Sequence, residues 1–259
     1  MENSTTAIER LCFSSGGMLK REYDNLYKAL FRYPQNHEAI VEALSKKSSG
    51  LSRQQIIKHS KVAAGGAYDR AMGDLVMSGF VTEFIPFGKR IRGAMYRLND
   101  EFSIFYHRFM KGNRKYSEGM WLQLANSQAY KIWTGYAFEN ICIKHSNQIK
   151  KALGISGVYT EVSSFRVEGT QDERGFQIDM VLDRKDGVIH LFEIKYYGSL
   201  FTIDKRYAQE LNERKQRFIE ITGTKKQVFT SFITNRGVKA NAYASEVVDA
   251  ELVLDDFFE

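Results

Sequence analysis

The sequence predicts an α/β chain of the α+β kind, with a helical first half closed by a β-hairpin and a second half built on a mixed sheet flanked by helices. Three observations predict it. Apolar residues recur at helical spacing through Leu11, Leu19, Tyr23, Leu26 and Leu30, and again through Ile40, Val41 and Leu44. Strand-like runs are confined to residues 80–98 and to the region beyond residue 157. A charged helical stretch, 204–221, lies between two of those later strands, as a crossover between parallel strands requires. At 259 residues the chain forms one large domain or two small ones and buries a core without disulfides.

Composition excludes several classes. Hydrophobic residues at 43% and charged residues at 26% do not describe a disordered chain. No apolar run approaches the ~18–20 residues of a membrane span, and residues 1–10 lack the apolar core of a secretory leader. Cys12 and Cys142 lie far apart in helical, apolar segments, which points to a reduced, cytoplasmic protein and excludes a cysteine zinc site. The net charge of +6 permits a nucleic-acid partner. Its placement is uneven: residues 51–92 hold seven Lys/Arg against three Asp/Glu, residues 204–239 nine against four, and the last twenty residues six acids and no base.

The elements follow in order. Residues 5–32 read as two helices parted at Ser14-Ser15-Gly16-Gly17, a lead-in of residues 1–34. Residues 35–112 read as the next domain, with a helix over 37–48, a second over Ser52–His59 with Ser52 as N-cap and Gln55 three residues on, and a third over Gly66–Ser78. Two strands, Phe80–Phe87 and Met95–Leu98, flank the basic loop Gly88-Lys89-Arg90-Ile91-Arg92-Gly93, and Asp100–Met110 reads as an aromatic-rich helix. Lys111–Ser117 is the expected joint to a last domain, 113–259, with helical residues 118–152, strands at 157–168, 176–183 and 188–197, the helix 204–221, and strands at 227–235 and 247–254.

Three helices followed by a hairpin with a basic tip are the order of a winged helix-turn-helix. On that reading the third helix presents Tyr68 and Arg70 to DNA, and Lys89, Arg90 and Arg92 neutralise phosphates from the wing. A protein-binding wing or a solvated basic hairpin accounts for the same residues. Trp121 and Trp133 read as core, and His107, His145 and His190 as surface or core histidines.

The chemistry concentrates in Gln177-Ile178-Asp179-Met180-Val181-Leu182-Asp183 and His190-Leu191-Phe192-Glu193-Ile194-Lys195. Lys185-Asp186-Gly187 between them suits a three-residue hairpin loop whose last residue takes a positive φ. That register sets Asp179 opposite Glu193 and Gln177 opposite Lys195, with Ile178, Met180, Phe192 and Ile194 on the other face. Facing carboxylates repel at a cost of about 0.2–1 kcal/mol. A divalent ion between them removes that repulsion, and Lys195, on the same face, suits a phosphate or an attacking water.

Asp179 followed by Glu193-x-Lys195 on the next strand resembles the PD-(D/E)XK phosphodiesterases, with Ile178 where the family name has proline. The resemblance implies a restriction-endonuclease-like fold, Mg²⁺ or Mn²⁺ as cofactor, and metal-assisted phosphodiester hydrolysis. Asp179, Glu193 and the Ile194 carbonyl would ligate the ion. Glu139, in Gly135-Tyr136-Ala137-Phe138-Glu139-Asn140, matches the glutamate that the family draws from a preceding helix, and Gln209, with Lys205 and Arg214, would face the site from the following one. The winged helix, the aromatic helix and these segments together resemble the C-terminal region of archaeal-type AAA+ ATPases. This implies DNA as partner, with an ATPase module or a second copy of the chain as further candidates. No Gly-x-x-x-x-Gly-Lys-Ser/Thr loop occurs, so no ATP site is expected in this chain.

Overall fold

A computed structural model describes residues 3–112, 119–170 and 174–258. By packing, the chain divides into two units, Met1–Phe84 with Ile91–Trp133, and Ile85–Arg90 with Thr134–Glu259.

The first unit begins with α1 (Ser4–Ile8, continued by a π-helical turn over Glu9–Phe13) and α2 (Met18–Leu30). Next come α3 (Pro34–Ser45), β1 (Leu51–Ser52), α4 (Arg53–Ser60), α5 (Gly66–Met77), β2 (Val81–Phe84) and β3 (Met95–Leu98). α6 (Glu101–Phe105, then a π-helical turn over Tyr106–Met110) and α7 (Met120–Ala125) complete it. The strands form an antiparallel sheet in the order β1-β3-β2. β1 escapes sequence patterning because it is two residues long. Its Ser52 also caps α4, in a capping box with Gln55 as the sequence suggests.

The lead-in is not a separate piece: Tyr23 and Tyr27 of α2 are buried in one cluster with Ile40, Leu44, Ile56, Tyr68 and Leu75. The joint expected at 111–117 lies, for 113–117, outside the described residues, and the division falls later, inside α8 (Gln128–Lys144), after Trp133. Aromatic packing moves it there. Trp121 stacks on Phe13 at 5.5 Å, and Trp133 meets Phe109 edge-on at 5.5 Å.

In the second unit α8 leads to α9 (Ser146–Ala152), β4 (Thr160–Val167), β5 (Phe176–Arg184) and β6 (Val188–Lys195). α10 (Lys205–Thr222), β7 (Gln227–Thr234), α11 (Ala242–Val247) and β8 (Ala250–Val253) follow. The five-stranded sheet runs β4-β5-β6-β7-β8, antiparallel over the first three strands and parallel over the last three. This is the mixed, helix-flanked sheet expected. α11 precedes the last strand and overlaps its expected span, 247–254, only at Val247; six residues are too few to show helical periodicity, though Asn241 caps its first turn. Segment 85–90 counts with this unit because the Phe87 amide donates to the Ser164 carbonyl at 2.8 Å and its ring lies 5.2 Å from Phe218.

Gly187 closes the β5–β6 hairpin at φ 91°, and the ladder Asp183↔Ile189 to Met180↔Phe192 is the register read from the sequence. It stops at Met180, so neither of the expected pairs Asp179 with Glu193 and Gln177 with Lys195 belongs to the ladder, and Gln177 pairs on the other edge of β5 with Arg166 of β4. A β-bulge explains the stop. Against β4 the register passes from Ser163↔Val181 to Phe165↔Ile178, so Asp179 and Met180 together oppose Ser164. The extra residue also moves Ile178 out of the expected layer. Met180, Phe192 and Ile194 pack with Phe138 and Cys142, whereas Ile178 joins Phe165, Val181, Leu191 and Phe218. Each such buried large side chain contributes about 1.5–3 kcal/mol.

His190 is a core histidine, as the sequence reading allowed. Arg184 Nη1 can only donate, so Nε2 accepts at 3.1 Å and Nδ1–H donates to Ser231 Oγ at 2.9 Å. Burial, with Arg184 beside it, lowers its pKa from 6.5 to about 4. The unfolded chain then binds the proton first, so stability falls as pH drops from about 6.5 towards 4. We expect His190→Gln to shallow that loss in thermal unfolding followed against pH; an unchanged slope would assign the loss to other groups.

Candidate phosphodiester site at the end of β5 and β6

The bulge and the end of the ladder free Asp179 from regular pairing at the point where β5 and β6 part. Its side chain, 13% exposed, turns to the Ile194 amide, which donates to Oδ2 at 3.0 Å. Lys195 Nζ lies 3.5 Å from the same oxygen and 2.9 Å from Glu193 Oε2. Asp179, Glu193 and Lys195 thus share one face, as the hairpin register requires, with the ammonium between the carboxylates.

α10 supplies two partners: Arg214, which the resemblance placed towards the site, and Tyr207, which the sequence did not single out. Tyr207 donates its hydroxyl to Glu193 Oε2 at 2.7 Å, and Arg214 Nη1 reaches Glu193 Oε1 at 2.9 Å. Both lie beside the buried stripe Ala208, Leu211 and Phe218, seven residues apart, hence on one side of the helix. That spacing was the available signal. Gln209 and Lys205 point elsewhere, contrary to expectation: both are exposed and line a groove with Asn212, Gln216 and Tyr243, where Gln209 bonds Glu213 at 3.0 Å. Two residues of helix turn Gln209 about 200° away from Tyr207.

Burial of the cluster sets its charge states. Burial raises the Asp179 pKa, and Glu193 adds to this while Lys195 and the Ile194 amide oppose it. Burial pushes Glu193 the same way, but Lys195, Arg214 and Tyr207 together outweigh it and hold Glu193 below the usual range. Burial works against the Lys195 charge, yet Glu193 and Asp179 raise its pKa overall, so it stays an ammonium.

Glu139 is half-buried on α8 and, like Asp179, acts electrostatically on the buried Cys142 thiol, whose pKa is raised first by burial and then by these two. Among the described residues no three His, Cys, Asp or Glu side chains converge as a metal cradle, so Glu139 does not complete one with Asp179 and Glu193. In donor chemistry Asp179 and Glu193 fit a hard cation, both being carboxylates at one point, and Asp179 makes both contacts through Oδ2. One residue beyond Lys195, Tyr196 lines a cavity of about 500 Å³ with Asn235, Arg236 and Asp255.

In the first unit Arg70 and Arg92 are exposed, and Lys89 and Arg90, on segment 85–90, are exposed as well. Tyr68 is not available to DNA. It is 1% exposed, because Tyr68, Ala71, Met72 and Leu75 form the core-facing stripe of α5, opposite Arg70. Asp69 is tied to Arg53 at 2.6 Å and Asp74 to His37 at 3.0 Å.

Among the described residues no helix is long and apolar enough to cross a membrane. No family model matches the sequence, and no curated protein matches it. Among solved structures, the chain is similar to the crystal structure of the protein of unknown function AF1548, at 18% identity and a TM-score of 0.30, over 42% of this chain and 56% of that one.

Proposed function

We propose that the protein is a DNA-directed, Mg²⁺-dependent phosphodiesterase of the PD-(D/E)XK type with a winged-helix DNA-binding unit. One observation carries this reading: Lys195 Nζ sits 2.9 Å from Glu193 and 3.5 Å from Asp179 on one face, where the β5–β6 ladder ends beside a bulge of β5 against β4. Asp179 and Glu193, with the Ile194 carbonyl, would hold the ion, which when bound supplies Lewis acidity at a phosphate oxygen and a more acidic water. Lys195, held protonated, cannot act as a base; it donates to a non-bridging phosphate oxygen or to the attacking water and stabilises the growing negative charge. Hydrolysis forms a bond from the water oxygen to phosphorus and breaks a phosphorus–oxygen ester bond. Tyr207 orients Glu193 through its hydroxyl.

The test is cleavage of duplex, single-stranded and branched DNA, and of RNA, with Mg²⁺, with Mn²⁺ and with neither. Divalent-dependent cleavage is expected; none on any substrate would overturn the enzymatic reading. A second reading, a non-catalytic DNA- or protein-binding regulatory module, is favoured by Arg214 and Tyr207, which engage both oxygens of Glu193. Binding without cleavage is its outcome.

DNA binding has its own prediction. Alanine at Lys89, Arg90 and Arg92 is expected to weaken duplex binding for every sequence and to lower the salt slope by roughly one per lost phosphate contact. An unchanged slope in fluorescence anisotropy would remove the wing from the interface.

A further inference from the structure

We infer that Arg214 is a tethered counter-ion of this site, which occupies Glu193 in place of a divalent ion and yields to one by re-pairing with Glu210. The inference rests on the phosphodiesterase reading for the identity of the ion. Asp179 and Glu193 carry two negative charges at full ionisation, and Lys195 and Arg214 carry two positive ones within 2.9–3.5 Å of them. The cluster is therefore neutral as it stands. A buried divalent ion added to it would leave an uncompensated double charge, which a low-dielectric surrounding makes costly. Space argues the same way. An ion that took Glu193 Oε1 would compete with the guanidinium that now holds this atom at 2.9 Å.

The release route is built into α10. Glu210 lies one turn before Arg214, and its Oε2 is already 3.7 Å from Arg214 Nη2, while its Oε1 is held by Arg206 at 3.2 Å. Moving from Glu193, whose side chain is 6% exposed, to Glu210, at 34%, takes the guanidinium towards solvent without leaving it unpaired. The two carboxylates thus give Arg214 two stations, one that blocks the ion and one that admits it. Arg214 acts through Glu193 and is a positioning residue.

The experiment is calorimetric titration of the full chain with Mn²⁺ and with Mg²⁺, without nucleic acid. Arg214→Gln is expected to bind the ion at least tenfold more tightly than the wild type. Glu210→Gln is expected to bind it severalfold more weakly, because the displaced arginine has lost its second station, and this effect should vanish in the Arg214→Gln background. Equal affinity in the wild type and Arg214→Gln would overturn the inference, as would an equal Glu210→Gln effect in both backgrounds. Should Arg214→Gln fail to fold, Glu213→Gln serves as the charge-matched control on the same helix. If it weakens the ion as much as Glu210→Gln does, only long-range charge is at work and the two-station inference falls. Cleavage is a separate readout: tight ion binding by Arg214→Gln without cleavage by any form would overturn the enzymatic reading and leave the role of Arg214 standing.

Discussion

Glu193→Gln is expected to abolish divalent-dependent cleavage, by about 100-fold or more, the scale on which groups acting at the reacting atoms are felt. The amide keeps the size of the side chain and can still accept from Tyr207, but it removes the charge that would ligate the ion and that now holds Lys195 and Arg214. DNA affinity should hold or rise, since one charge that repels phosphate is gone. Asp183→Asn is the matched control. Asp183 lies on β5, the strand of Asp179, towards the hairpin turn and is paired with Lys226 at 2.5 Å, away from Lys195. Its activity should stay within about twofold of the wild type, a limit set by its distance from the reacting groups. Equal loss in the two variants, measured as single-turnover cleavage, would mean that the site is misassigned.

Much of this site was legible because a hairpin has few degrees of freedom. Once Lys185-Asp186-Gly187 fixes the loop, every pair on β5 and β6 follows, and the observed ladder is that register. Its end was not legible. The bulge at Asp179 and Met180 arises from the way β5 meets β4, where the flanking pairs Ser163↔Val181 and Phe165↔Ile178 join residues that no local pattern links. It is the bulge that releases Asp179 towards the Ile194 amide and turns Ile178 to the other core cluster. The sequence shows α10 as a helix but not which side meets the sheet: of the polar residues expected at the site Lys205 and Gln209 are exposed and Arg214 reaches Glu193, because the apolar stripe Ala208, Leu211 and Phe218 sets the inward direction and carries Tyr207 and Arg214 with it. In the first unit the same rule excludes Tyr68, whose ring belongs to the stripe that faces the core. Domain boundaries were the least legible, because aromatic contacts made by residues 121–133 with Phe13 and Phe109 decide the division and glycine-rich spacing does not.

Lys195→Met is expected to destabilise the fold by about 3 kcal/mol or more at neutral pH, because removing one partner leaves a buried charge uncompensated. The orphan is Asp179, not Glu193. Glu193 keeps Arg214 and Tyr207, while among the described residues Asp179 keeps the Ile194 amide alone. Burial already raises the Asp179 pKa against the pull of Lys195, so loss of the lysine raises it further. A carboxyl whose folded pKa lies above its unfolded value gains stability as pH falls through that folded pKa. The deficit of Lys195→Met should therefore shrink on acidification, when Asp179 takes up a proton and no longer needs a counter-charge. For the same reason Asp179→Asn combined with Lys195→Met should be less destabilised than the sum of the single variants, by a coupling of about 1–3 kcal/mol, since neither charge is then left alone. Urea denaturation of the four proteins at neutral and mildly acidic pH reads both effects. Strict additivity, together with a deficit that does not change with pH, would show that Lys195 contributes packing to this cluster and no charge compensation.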